Sequence, residues 1–130
     1  MFEAFQPVPR DRSFRIIDLP PDLRDETTAD AGGVATIELA TVPPDRQIWL
    51  VERVVVGSTS VLATQFALYR NAVDLANRVE FTDGGNGNVA DEAQAIRFQP
   101  ADLIIAQWTG ATAGARCTVS LQYSRAILEG

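Results

Sequence analysis

The sequence predicts an all-β protein: an antiparallel two-sheet β-sandwich, jelly-roll-like, with an extended N-terminal arm. Three observations point there. Apolar runs rich in β-branched and aromatic residues recur from Gly32 onward. Turn residues separate these runs at intervals of roughly 8–14 residues, the spacing of a sandwich. No helical period is sustained over the roughly 10–12 residues that a helix requires.

Gln47–Gly57 (QIWLVERVVVG) is the strongest of these runs. Its Ile, Trp, Leu and Val content, ending at a glycine, predicts a long strand in the middle of a sheet with both faces covered. Ahead of it, Val34–Val42 alternates Ala35, Ile37 and Leu39 with Thr36 and Glu38, and the turn Pro43-Pro44-Asp45-Arg46 follows. After it come a polar loop at Ser58–Ala63 and a strand at Thr64–Arg70 with Phe66 and Leu68 inward. A connection at Asn71–Asn77, suited to one helical turn, leads to the strand Arg78–Thr82. Asp83–Asn88 (DGGNGN) is the clearest reversal, since Asp-Gly, Gly-Gly and Asn-Gly all favour positive φ. Ala93–Gln99, Leu103–Thr109 and Arg116–Leu128 complete the series, the last with Cys117, Val119, Leu121 and Tyr123 on one face. These are seven strand candidates, or eight if one from residues 1–31 joins, and eight in two four-stranded sheets would make a jelly roll.

Residues 1–31 differ in texture, which sets the expected division into an arm (1–31) and a sandwich domain (32–130). Pro7, Pro9, Pro20 and Pro21 favour an extended course. Phe2, Phe5, Phe14, Ile16 and Ile17 make the stretch too apolar for a solvated tail, and they are the candidate docking residues. Phe14–Leu19 suits a short strand, whereas the polar Asp22–Asp30 suits a loop or a helical turn. Two readings stay open: an arm packed on its own domain, or one that docks on a neighbouring subunit.

Composition excludes several chemistries. The 130 residues contain no His and no Lys, and all 11 basic residues are Arg. The commonest general base and metal ligand is therefore missing, as are Schiff-base and P-loop lysines. The single Cys117 allows no intramolecular disulfide and no multi-thiolate zinc site. A net charge of −6 argues against a nucleic-acid partner. No apolar run approaches the roughly 20 residues needed to span a bilayer, so no membrane partner is expected. No signal peptide is evident at the first residues, which implies synthesis in the cytoplasm.

No constellation rises to a catalytic, cofactor or metal site. Asp83, Asn86, Asn88, Asp91 and Glu92 are oxygen donors of the kind calcium takes, but turn chemistry alone explains them. Trp49, Trp108, Tyr69 and Tyr123 sit in strands, where core packing accounts for them better than a sugar-stacking platform does. Adjacent acids such as Asp91-Glu92 or Asp25-Glu26 do not give the separated carboxylates of a glycosidase. Glu52 and Arg53 interrupt the central strand and by alternation face opposite ways. A partner such as Arg70, Arg78 or Arg97 is expected for Glu52, or the pair marks a subunit contact.

The succession Trp49-Leu50-Val51-Glu52-Arg53, Leu68-Tyr69-Arg70 and Val89-Ala90-Asp91-Glu92, with Trp108-Thr109-Gly110-Ala111 and Leu121-Gln122-Tyr123, carries a resemblance. It resembles small β-sandwich proteins from the structural gene clusters of tailed bacteriophages, particularly those of actinobacterial hosts, over roughly residues 33–125. The resemblance implies a non-enzymatic virion component without cofactors, assembled in the host cytoplasm. It implies a homo-oligomer, a capsid decoration or head accessory protein, bound to the major capsid protein or other virion proteins and stabilising the particle. A head-tail connector or tail accessory protein is the alternative, as is a glycan- or receptor-binding sandwich using Asp83–Glu92 with Trp108.

Overall fold

Strand β4 (Gln47–Ser58) is hydrogen-bonded along both edges, to β9 (Arg116–Leu128) on one side and β7 (Gly87–Phe98) on the other. The expected central strand is thus central. The computed structural model describes residues 14–18, 20–39 and 42–128.

Two antiparallel sheets face each other. The five-stranded sheet runs β1 (Phe14–Asp18), β9, β4, β7, with β2 (Leu23–Thr28) also on β9; the four-stranded sheet runs β3 (Ala35–Glu38), β8 (Ile104–Thr109), β5 (Gln65–Arg70), β6 (Arg78–Thr82). From β2 onward every connection crosses from one sheet to the other except β5–β6. The orders β2-β9-β4-β7 and β3-β8-β5-β6 are those of a jelly roll. A 3-10 turn at Leu75–Asn77, capped by the Asp74 carboxylate, is the helical turn foreseen in the β5–β6 connection.

The inner faces interdigitate as the alternation requires. Trp49, Val51, Val54 and Val56 of β4 meet Phe66 and Leu68 of β5 and Ile104, Ala106 and Trp108 of β8 in one core, closed by Cys117, Val119, Leu121 and Tyr123 of β9. Trp49 packs on Tyr123 with ring centroids 4.8 Å apart, and Phe66 on Trp108 at 5.0 Å. Full burial of each such side chain contributes about 1.5–3 kcal/mol.

The structure departs from the sequence reading at β2 and at Glu52. Leu23–Thr28 is a strand, β2, where a loop or helical turn was expected; its register against Thr118–Leu121 of β9 supplies backbone bonds that its polar side chains do not advertise. β1, the short strand expected within Phe14–Leu19, pairs Phe14 with Leu128 and Asp18 with Arg125, so β1 and β2 both lie on β9. At Glu52 the alternation breaks. Val51 and Arg53 pair with the consecutive residues Tyr123 and Gln122, so Glu52 is the extra residue of a β-bulge. Val51 and Val54 both stay buried, Arg53 is exposed and Glu52 half-buried, and neither charge is forced into the core.

Candidate functional site

Four connections gather at one end of the sandwich: residues 29–34, 59–64, 83–86 and 110–115. Backbone and side-chain hydrogen bonds join them in series. Ala29 N–H donates to the Ala115 carbonyl (2.8 Å), Gly114 N–H to the Ala29 carbonyl (2.9 Å) and Ala111 N–H to the Gly33 carbonyl (3.0 Å). Thr112 N–H donates to Ser60 Oγ (3.0 Å), and Arg116 N–H to Thr59 Oγ1 (2.8 Å). Gly85 N–H donates to the Thr64 carbonyl (2.9 Å).

Asn86 is the keystone of this rim. Its Oδ1 accepts from both the Thr64 amide and the Thr64 hydroxyl, each at 2.7 Å. Its Nδ2 donates to the carbonyls of Ser60 (3.0 Å) and Leu62 (2.9 Å). Two donors and two lone pairs are all a carboxamide offers, so the group is saturated. Ser60 reinforces the loop from within, its hydroxyl donating to the Leu62 carbonyl (2.9 Å) and accepting from the Leu62 amide (3.1 Å). Two glycines permit the close approach. A Cβ on Gly85 would stand 2.6 Å from Thr64 Oγ1, and one on Gly33, whose φ is +80°, 2.4 Å from the Ala111 carbonyl oxygen.

This framework holds Val61 and Leu62 out into solvent, 87% and 56% exposed. A loop fixed by so many bonds displays its apolar tip at little further ordering cost, which is the condition for a pre-organised contact. Beside it lies a recess of about 330 Å³ lined by Ala63, Thr64, Gln65, Asp83, Thr109 and Gly110. The segment reads as a polar loop in sequence. The Val61-Leu62 doublet, with no alternation to place it in a strand, was the available signal.

A second surface lies on the outer face of the five-stranded sheet. Val55 and Val89 stand directly opposite each other, 36% and 54% exposed, next to an ion pair between Arg53 Nε and Asp91 Oδ1 at 2.6 Å. A hollow of about 430 Å³ borders Val55, lined also by Arg24, Asp25, Glu26, Thr118 and Ser120. Arg53 therefore sits on a free face, with its partner on β7. Of the arginines expected opposite Glu52, Arg70 lies 3.5 Å from Asp102 and Arg78 lies over the Phe81 ring at 4.5 Å.

The other candidates disperse. Of the five oxygen donors, Asp83 accepts from Gln65 Nε2 (3.2 Å) and Asn86 binds the loop described above. Asn88 stands in β7 across from Val56, Asp91 is paired with Arg53, and the Glu92 carboxyl is pushed up to about 7 by loss of solvent first and by Glu80 second. Among the described residues no group of three or more His, Cys, Asp or Glu could hold a metal ion. Trp108 is fully buried and Trp49 and Tyr123 nearly so, so a sugar-stacking role for Trp108 is overturned and core packing is what these rings do. Burial also raises the Tyr123 phenol above its ordinary pKa. Cys117 is buried on the inner face, with Sγ 3.5 Å from Ser58 Oγ. Phe2 and Phe5 lie outside the described residues; the backbone of Phe14, Ile16 and Ile17 is that of β1.

No family model matches the chain, and no curated protein does. Among solved structures, a chain of infectious bursal disease virus, Gx strain, aligns with 99% of this chain and 37% of its own length, at 17% identity and a TM-score of 0.43. A chain of the extra small virus particle of the giant freshwater prawn Macrobrachium rosenbergii aligns over 100% and 95%, at 12% identity and a TM-score of 0.38. Eiger TNF from S. frugiperda aligns over 85% and 94%, at 12% identity and a TM-score of 0.32. This chain spans just over a third of the first of these. The jelly-roll assignment stands on the strand pairing alone.

Proposed function

We propose that the chain is a non-enzymatic virion structural protein, a capsid decoration or head accessory protein that oligomerises and stabilises a phage particle. The observation that carries the reading is the hydrogen-bonded rim, which holds Val61 and Leu62 exposed at one end of the jelly roll. Such a tip serves burial against another protein surface, at about 25 cal/mol for each Å² of apolar area removed from water.

Two further contacts belong to the proposal. Arg53, with Glu52 beside it on the bulge, offers a charged subunit contact on the outer face of the five-stranded sheet. The docking arm of the proposal lies within residues 1–31, with Phe2, Phe5, Phe14, Ile16 and Ile17 as its apolar contacts.

Incorporation into particles tests the reading. The Val61→Asp/Leu62→Asp double variant keeps its fold and loses incorporation or self-association, measured by particle composition and by mass in solution. Deletion of residues 2–13 likewise leaves a folded domain that fails to join the particle. Unimpaired incorporation of the double variant overturns the rim as the contact. A copy number matching the shell subunits supports decoration, and one matching a single ring moves the protein to the connector or tail.

A further inference from the structure

The outer face of the five-stranded sheet is shielded from water in the half farther from the loop rim. Trp49 and Val51 of β4 point into the core, so Ile48 and Leu50 point out. Ala126 stands directly across from Ile48, and Ser124 across from Leu50. Ile48 is 1% exposed, Ala126 0% and Ser124 1%, yet neither Ile48 nor Ala126 belongs to the cluster between the sheets. Among the described residues every strand lies in one of the two facing sheets, so no strand forms a third layer over this patch. The Ser124 hydroxyl is buried there without a hydrogen-bond partner. A hydroxyl out of water and unbonded is costly, and a backbone carbonyl of a covering segment removes that cost.

The start of the chain is attached at the border of the patch. β1 begins at Phe14, paired with Leu128, and sets Ile16 across from Ala126. Ahead of it stand residues 1–13, outside the described residues. Thirteen extended residues reach about 45 Å, and the 12 residues of β4 rise about 40 Å, so the segment is long enough to cross the face. Phe2 and Phe5 offer aromatic surface to match Ile48 and Leu50. Pro7 and Pro9 lack an N–H, which suits a chain laid across a face better than one added to an edge ladder.

We propose that residues 1–13 seat on the outer face of this chain's own five-stranded sheet, with Phe2 and Phe5 over the patch of Ile48, Leu50, Ser124 and Ala126. Removal of aromatic and aliphatic surface from water holds the segment there, and one of its carbonyls accepts from the Ser124 hydroxyl. The seat keeps the free chain dispersed, because segment and face each carry apolar surface that draws in other copies when left open. It concerns the free chain and stands whether or not the arm later engages a particle.

Hydroxyl-radical labelling of the full chain, normalised for side-chain reactivity, reads the seat. In the wild type Ile48 is protected to the level of the core residue Leu68. In the Phe2→Asp/Phe5→Asp variant, labelling of Ile48 rises several-fold while Leu68 stays protected. Unchanged labelling of Ile48 overturns the proposal. Should the variant lose its fold, with Leu68 labelled as well, a photo-cross-linker in place of Phe5 decides. With p-benzoylphenylalanine there, irradiation of the full chain joins it within one chain to residues 48–50 or 124–126. The same cross-links found in covalent dimers seat a second copy's segment and overturn the same-chain placement. Cross-links to other elements only, or none, overturn the seat itself.

Discussion

Asn86 Nδ2 donates to the carbonyl of Leu62, 2.9 Å away, and thereby fixes the exposed tip of one loop to the turn of another. Every polar atom of the Asn86 side chain is committed to residues 60–64. The apolar surface at Val61 and Leu62 is therefore rigid, with its position set by a residue that makes no outward contact of its own.

Replacing Asn86 by Ala is expected to lower stability by about 1–3 kcal/mol, because partly buried partners at Thr64 lose a bond and gain none. The same substitution releases residues 59–64, seen as faster amide exchange there while β8 keeps its protection. Urea denaturation and exchange mass spectrometry measure the two effects separately. A fall in stability without release of the loop would mean that Ser60 alone orders it.

Ala101 offers the opposite effect. In the turn Gln99–Asp102 it has φ +69°, following Pro100, with the Asp102 amide donating back to the Gln99 carbonyl at 3.0 Å. That is the position where a type II turn favours glycine. Ala101→Gly is expected to raise stability by about 1 kcal/mol, the cost an L-residue bears in the left-handed region. A higher urea midpoint with an unchanged m-value is the sign to look for.

Stability should fall as pH rises from about 5 to about 8. The Glu92 pKa is raised in the folded state, to about 7 from 4.5, so its contribution is complete below the unfolded value and vanishes as pH passes the folded one. Asp18 works in the other direction: its hydrogen bond from Arg125 lowers its pKa, so that contribution is present at neutral pH and is lost on acidification. Glu92→Gln should flatten the neutral limb of the denaturation midpoint against pH and leave the acid limb in place.

Arg125 donates from Nε to Asp18 at 2.7 Å and pins β1 to β9 where the register slips between Ile16 and Asp18. Arg125→Ala should raise exchange in Phe14–Asp18 and leave Leu23–Thr28 protected, since β2 has its own six-residue register on β9. Simultaneous loss of both strands would show that they behave as one unit.

Much of this architecture is legible in the residues, for reasons that are local. β3 and β9 announce themselves because a two-residue period of buried side chains is a property of contiguous sequence, and β8 does so because its apolar run is nearly continuous. β2 does not, because LRDETT at a sheet edge keeps most of its side chains in water and owes its conformation to β9, about a hundred residues later in the chain. Glu52 and Arg53 read as facing opposite ways because alternation was assumed to be unbroken, and a bulge is set by partners rather than by the strand's own residues. Asn86 reads correctly as a turn residue, yet its role depends on loop atoms more than twenty positions earlier. Trp108 shows the same division: its place in a strand follows from sequence, whereas its complete burial is a fact of the opposing sheet.

The position of β9 constrains how the protein is made. Its thirteen residues lie between β4 on one side and β1 with β2 on the other, so three strands wait for it. While the ribosome is still adding residues, β1 and β2 have no partner, and β4 carries an open edge together with an uncovered apolar face. The sandwich therefore closes only after β9 has emerged, however much of β1–β8 has been made before it. Chains stalled before Arg116 are the species expected to aggregate or to need a chaperone.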